Sequence, residues 1–220
     1  MESMGRTRPL LSCDEVSRHY TYTQKDIVFV GRALMAEKQV ITSTIPSLVG
    51  GKLFLRPAAA EDIANTYHWR LMEEPQKYCE YPLPYMRASE AAEAYKKAEK
   101  SADSQDFGIC TIKEKTLVGL ISFTDLNSLN RSARMEMLID PDEKKKEHGP
   151  EAIRILCNHL FRYRGLNKVY AHVSEFDDDM VRDLTKVGFK RDGTLRRHLF
   201  YKGEFHDMFI YSLLLFDFDA

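Results

Sequence analysis

The chain has 220 residues, a formal net charge of −1 and 30% charged residues, which is length for one domain, alone or with an appendage, around a real core. This near-neutral balance supplies no basic field for nucleic acid; the longest apolar runs, such as Tyr211–Phe216, fall well short of the roughly 18–20 residues of a membrane span, and the polar N-terminus has no secretory apolar stretch. Cys13, Cys79, Cys110 and Cys157 stand far apart, with no CxxC and no His/Cys cluster, so disulfides and a metal site are not expected and the thiols read as core residues in a reducing cytoplasm.

In chain order, residues 1–45 lack regular periodicity and read as an N-terminal extension, partly ordered, with one strand-like run at Asp26–Val30. Pro46–Gly51 reads as a hinge into the main domain, residues 46–220. Lys52–Pro57 is a strand stopped by proline, and Ala60 opens a helix to about Glu73. A second helix runs over Ala88–Ala102, with Ser89 as N-cap and Glu90, Glu93 and Lys97 on its exposed face. Phe107–Ile112 and Leu117–Phe123 form a hairpin around Glu114-Lys115, and Arg134–Ile139 is the next strand. Ile153, Leu156, Cys157 and Leu160 repeat at the i, i+3, i+4, i+7 spacing of a buried helical stripe. A strand at Lys168–Val173, a helix at Asp178–Val187 and two strands at Leu195–Tyr201 and Asp207–Leu214 complete an α/β or α+β sandwich around a mixed sheet.

The stretch from Ile139 to Ala152 carries the clearest chemistry. A strand ends at Pro141, Lys144, Lys145 and Lys146 follow in a turn, and a helix opens at Gly149-Pro150-Glu151. A helix N-terminus presents unpaired N–H groups and the positive end of the dipole, so a basic loop feeding into it makes a phosphate cradle.

With Leu53-Phe54-Leu55-Arg56-Pro57 and Glu61-Asp62 before it, and Leu166-Asn167-Lys168-Val169, Lys186-Val187-Gly188-Phe189 and the closing run from Gly193-Thr194-Leu195-Arg196 to His206-Asp207 after it, the loop resembles the pyrophosphate loop of the GNAT acyltransferases. The branch it is similar to contains ribosomal-protein N-terminal, spermidine and nucleotide-aminosugar acetyltransferases, and the likeness spans about Leu53 to Leu215. Its loop pattern, Arg/Gln-x-x-Gly-x-Gly/Ala then Thr-Glu-Ala, falls on Lys144, Lys145, Lys146, Glu147, His148 and Gly149, then Pro150, Glu151 and Ala152. The resemblance implies a mostly antiparallel sheet of about seven strands, flanked by about four helices and splayed at its central strands. It implies acetyl-CoA as co-substrate, held by residues 144–150 and Asp177, with the main chain of Leu138 and Ile139 as donors to the acyl carbonyl. Four positions depart from the pattern: Glu147 replaces a glycine, Pro150 removes an N–H, Asp177 stands for Asn, and Leu184 stands where many members have a Tyr that protonates the leaving thiolate.

Acyl transfer to an amine needs a base, because a free alkyl amine has a pKa of about 10. Strand alternation groups Arg134, Glu136 and Leu138 on one face and Met135, Met137 and Ile139 on the other. Glu136 is therefore the candidate general base acting through water, a salt bridge to Arg134 being its structural alternative. Asp125, Glu73, Glu74 and Glu80 are candidates to attract a cationic acceptor; Trp69 and Tyr78–Pro82 are candidates for an aromatic wall. His198, Tyr201 and His206 are candidates for its lining, whereas His172 reads as a sheet histidine. The implied function is direct acetylation of a primary amine on a small molecule or a protein amino terminus, with a homodimer implied by the resemblance. The alternative is a catalytically impaired GNAT-fold binding or scaffold protein, for which Glu147, Pro150 and Arg134 speak.

Overall fold

The computed structural model describes residues 48–72, 86–98, 102–143 and 147–218, with main chain alone at 70–72. The extension at 1–45, Glu73, Glu74, Glu80, Tyr78–Pro82 and Lys144, Lys145 and Lys146 lie outside the described residues. The elements are β1 (Leu48–Val49), β2 (Leu53–Pro57), α1 (Ala60–Met72), α2 (Ala88–Lys97), β3 (Gln105–Thr111), β4 (Leu117–Asn127) and β5 (Ser132–Ile139). They continue with α3 (His148–Arg162), β6 (Lys168–Ser174), α4 (Asp178–Val187), β7 (Lys190–Tyr201), β8 (Glu204–Leu214) and α5 (Leu215–Phe218).

The strands form one sheet in the order β1-β2-β3-β4-β5-β6-β8-β7. Every neighbouring pair is antiparallel except β5 and β6. This is the mixed, mostly antiparallel sheet expected, with eight strands and five helices among the described residues. The additions are short. Leu48–Val49, read as hinge, pairs with Phe54 and Leu55 as an edge strand, and the chain ends its described part in a single helical turn.

The apolar stripe of α3 explains why the sheet is closed on one face. Ile153, Leu156, Cys157 and Leu160 are fully buried against Ile121, Phe123, Met135 and Val169. At about 25 cal/mol per Å² of apolar surface, such side chains supply most of the driving force for this layer. Alternation along β5 sends Met135 and Ile139 into this core, as their spacing predicts.

The turn from β2 into α1 is fixed by charge. Arg56 donates two bonds to Asp62, Nη1–Oδ2 2.6 Å and Nη2–Oδ1 2.8 Å, and Asp62 Oδ2 also accepts the Ala59 N–H at 2.7 Å. Asp62 therefore caps α1 while neutralising a half-buried guanidinium, a geometry in which losing one partner strands a charge. Ser89 is not the N-cap of α2. Arg87 holds that position, two residues earlier, and its N–H donates to Glu90 at 2.8 Å.

Candidate active site

The central strands part. β5 and β6 run parallel and pair only at Ser132–Lys168, Ala133–Val169 and Arg134–Tyr170; from Met135 and Ala171 onward no rungs join them. The gap this leaves is lined by main chain. The Asp140 N–H donates to the Val118 carbonyl at 2.9 Å, which makes 118 and 140 a bonded pair of the β4–β5 ladder. Alternation then turns the polar groups of Glu136 and Leu138 towards β4, and those of Met137 and Ile139 into the gap. Of the two residues expected to offer main-chain donors, Ile139 faces the opening, whereas the Leu138 N–H is engaged by Leu120.

At the mouth of the gap stands the N-terminus of α3, which begins at His148, earlier than the Gly149–Glu151 opening read from sequence. Pro150 lies in its first turn, where a missing N–H costs little. His148 Nε2 lies 3.1 Å from Glu143 Oε2 and ties the helix to the loop. Glu151 Oε1 accepts the N–H groups of Lys52 at 2.6 Å and Leu53 at 3.2 Å, anchoring α3 to the start of β2. Gly149 is packed so closely on α4 that a Cβ there would lie 2.0 Å from Asp183 Oδ2 and 3.2 Å from Met137 Cε.

Glu147 precedes this turn in a left-handed conformation, φ 59° and ψ 32°. That explains the glycine of the loop pattern, since an L-residue there costs roughly 1–2 kcal/mol. Its carboxylate turns outward to the Lys186 ammonium of α4, and the hydrogen bond and charge of Lys186, with weaker help from Arg182 and Lys52, hold it below the usual carboxylate range. Beneath it, Asp183 is only 8% exposed. Burial pushes its carboxyl up, an effect that the Arg182 guanidinium, donating to Oδ1 at 3.1 Å, partly offsets. Asp177 serves as the N-cap of α4, Oδ1 accepting the Met180 N–H at 3.1 Å, a role that Asp and Asn fill equally well.

The face of β5 away from α3 carries the polar groups. Arg134 bridges Glu136 at 3.0 Å and Asp125 at 3.2 Å, so the ion pair named as the alternative for Glu136 exists. The Glu136 side chain nevertheless remains 56% exposed beside the gap. An open groove of about 750 Å³ runs past Arg134 and is lined by Asp103, Thr124, Asp125 and Asn127 among others. On β6, Val169, Ala171 and Val173 enter the core, which leaves Tyr170 and His172 on the polar face with rings 5.8 Å apart. Tyr201 and His206 meet Phe176 beyond the end of β6, His206 Nδ1 lying 2.7 Å from Glu175 Oε1, while His198 is exposed on β7.

Trp69 is buried in α1, which assigns it to packing. Cys110 is 1% exposed and burial raises its thiol pKa, so it is unsuited to act as a nucleophile. Leu184 is fully buried and brings no proton donor to the gap. Among the described residues, no group of three or more His, Cys, Asp or Glu is placed to hold a metal ion. Sequence reading missed the Glu147–Lys186 pair, the Glu151 anchor and Asp183. The last left a signal, an acid at i+3 in the apolar series Met180, Leu184, Val187.

A sheet opened between two parallel strands, with a helix N-terminus at the mouth and a carboxylate on the opposite face, has room for an extended, phosphate-bearing ligand. A family model for the acetyltransferase (GNAT) domain matches residues 52–190, and the chain belongs to that family. Its activity is acetyl-CoA-dependent N-acetyl transfer. Among curated relatives, the spermidine N(1)-acetyltransferase of Vibrio cholerae serotype O1 is 26% identical over 125 residues, 57% of this chain and 72% of that one. Among solved structures, spermidine N-acetyltransferase from Vibrio cholerae in complex with CoA and spermine superposes with a TM-score of 0.70 at 23% identity, covering 78% of this chain and 100% of that one. A dodecameric structure of the Vibrio cholerae enzyme gives a TM-score of 0.65 at 23% identity, covering 75% and 95%.

Proposed function

We propose that the protein acetylates a primary amine of a small polycationic acceptor, of the spermidine kind, by direct transfer from acetyl-CoA. The observation that carries the acceptor class is the charge of the polar face. Among the described residues of the groove and its rim, Asp103, Asp125 and Glu136 set three carboxylates against the guanidinium of Arg134. Such a groove concentrates cations and disfavours neutral acceptors. The likeness to the spermidine N(1)-acetyltransferase of Vibrio cholerae supports the same choice.

In this reading the diphosphate of the donor rests on the N-terminal turn of α3, at His148 and Gly149, with Lys144, Lys145 and Lys146 adding charge. Asp177 holds the start of α4 beside the donor's pantetheine arm. The arm continues between β5 and β6, where the N–H groups of Met137 and Ile139 supply the main-chain donors for the arm and the thioester oxygen. Acetyl-CoA provides an activated acyl group. The acceptor, entering from the polar face as an ammonium, loses one proton to Glu136 through water; its nitrogen attacks the carbonyl carbon, and as the tetrahedral intermediate collapses the C–S bond breaks and the nitrogen gives up its second proton to solvent. The sulfur leaves as a thiolate, without a protein acid, and takes its proton from solvent.

We assign residues 46–220 to the transferase domain, residues 1–45 to an extension, and the setting to the cytoplasm, where the buried thiols Cys110 and Cys157 stay reduced. No described helix is long and apolar enough to cross a membrane. Self-association is expected through the β7–β8 end of the sheet, where the tilted rings of Phe200 and Phe205 lie 5.1 Å apart while 62% and 54% exposed.

The acceptor is tested by incubating the protein with acetyl-CoA and, separately, spermidine, an aminosugar and a short peptide with a free amino terminus, with products read by mass. Acetyl-spermidine formed at the highest kcat/KM is expected. A peptide or aminosugar preferred by tenfold or more would overturn the polyamine assignment.

A further inference from the structure

Glu147, Lys186, Arg182 and Lys52 form a cluster that neither the fold nor the acyl-transfer step requires. Lys186 sits on the last turn of α4, partly exposed, and its ammonium is paired with Glu147, a residue 39 positions away at the tip of the phosphate cradle. Arg182 lies one turn earlier on the same helix, and both it and Lys52 add to the field at Glu147. Arg182 is engaged by Asp179 at 2.6 Å and Asp183 at 3.1 Å, so the cation held by Glu147 at this end of the cluster is Lys186. A carboxylate, held in a left-handed conformation and largely exposed, thus covers a lysine next to a helix N-terminus.

We infer that Glu147 is an internal stand-in for a phosphate group of coenzyme A, and that Lys186 exchanges Glu147 for that phosphate when the donor binds. This rests on the acetyl-CoA reading above. The exchange is downhill for two reasons. An exposed lysine–carboxylate pair is weak and salt-screened, whereas the 3′-phosphate or the diphosphate as a whole brings about two negative charges and several acceptor oxygens to the same ammonium. Glu147, once released, is already solvated and needs no new partner. Two phosphate groups of the ligand fit this chemistry, the diphosphate that rests on the α3 turn and the 3′-phosphate of the ribose. Arg182 and Lys52 remain in place in either case and add to the field. The cluster thereby sets donor affinity from outside the cradle, with Glu147 as a competitor tethered beside it.

The test is calorimetric titration of the full chain and its Glu147→Gln, Lys186→Ala and Lys186→Arg variants with acetyl-CoA and with acetyl-3′-dephospho-CoA. Glu147→Gln is expected to bind acetyl-CoA several-fold tighter. Lys186→Ala is expected to bind it roughly 5-fold weaker, the scale of one exposed charge pair, and Lys186→Arg to stay near wild type. If the 3′-phosphate is the partner, the Lys186→Ala loss vanishes with the dephospho ligand; if the diphosphate is, the loss persists. Either pattern supports the exchange. Glu147→Gln and Lys186→Ala both within twofold of wild type for acetyl-CoA would overturn it. A wild-type protein that binds neither ligand would remove the acetyl-CoA reading itself, an outcome distinct from a failed exchange.

Discussion

Gly149→Ala lowers the melting temperature by about 4–8 °C and weakens acetyl-CoA binding by at least tenfold. The added methyl would sit 2.0 Å from Asp183 Oδ2 and 2.9 Å from its Cγ, distances that real contacts do not reach. Something has to move. Asp183 cannot swing freely, because it is buried between α3 and α4 and receives Arg182. Overpacking of this kind costs typically 1–3 kcal/mol, and 1 kcal/mol shifts the midpoint of a domain this size by roughly 2–4 °C. The alternative response, withdrawal of the first turn of α3 from α4, displaces the N–H groups assigned to the phosphates. Differential scanning calorimetry and donor titration read the two consequences separately. Combining the change with Asp183→Ala removes the opposing carboxylate and restores most of the lost stability. A single variant as stable as wild type would mean that the α3–α4 contact is looser than it stands.

Glu136→Gln lowers kcat by about 10²-fold or more, the range for loss of a positioned general base, with KM for acetyl-CoA nearly unchanged. The carboxylate lies on the polar face beside the opening between β5 and β6, and Gln keeps its shape while removing the proton acceptor. The rival role is structural. Arg134 holds Glu136 at 3.0 Å, and an exposed pair of this kind contributes about 0–1 kcal/mol. Loss of a pair alone would leave kcat within a few-fold of wild type. Chemical rescue separates the roles further: in the base role the rate of Glu136→Gln rises with an added small carboxylate, which brings a proton acceptor in from solution without being an amine acceptor itself. A kcat within threefold of wild type would leave Glu136 as a partner of Arg134 and nothing more.

Local rules carried much of the architecture. The i, i+3, i+4, i+7 spacing of Ile153, Leu156, Cys157 and Leu160 placed α3 and its buried face, and alternation sorted β5 into a core side and a polar side. The opening of the sheet came instead from the resemblance, since nothing in the propensities of Met135–Ile139 or Ala171–Ser174 says that two strands pair at one end and part at the other. Leu48–Val49 was invisible for a similar reason, as two residues carry no period and are a strand only because Phe54 and Leu55 pair with them.

Within the site, the helix α3 was legible and the details between segments were not. Which of Leu138 and Ile139 offers its N–H depends on the register with β4, a property of a strand pair. Glu147 read only as a carboxylate in place of a glycine; its αL conformation and its partner Lys186 do not follow from the loop alone. Asp183 could have been flagged as an acid on the apolar stripe of α4, and its meeting with Gly149 depends on how two helices pack.

The most direct test of the acetyl-CoA account is an isothermal titration of the full chain with acetyl-CoA, with CoA and propionyl-CoA as comparators. Saturable binding at micromolar strength, with one site per chain and at least tenfold weaker in Gly149→Ala, is the predicted result. No heat at millimolar ligand would contradict it, leaving a GNAT fold without its donor.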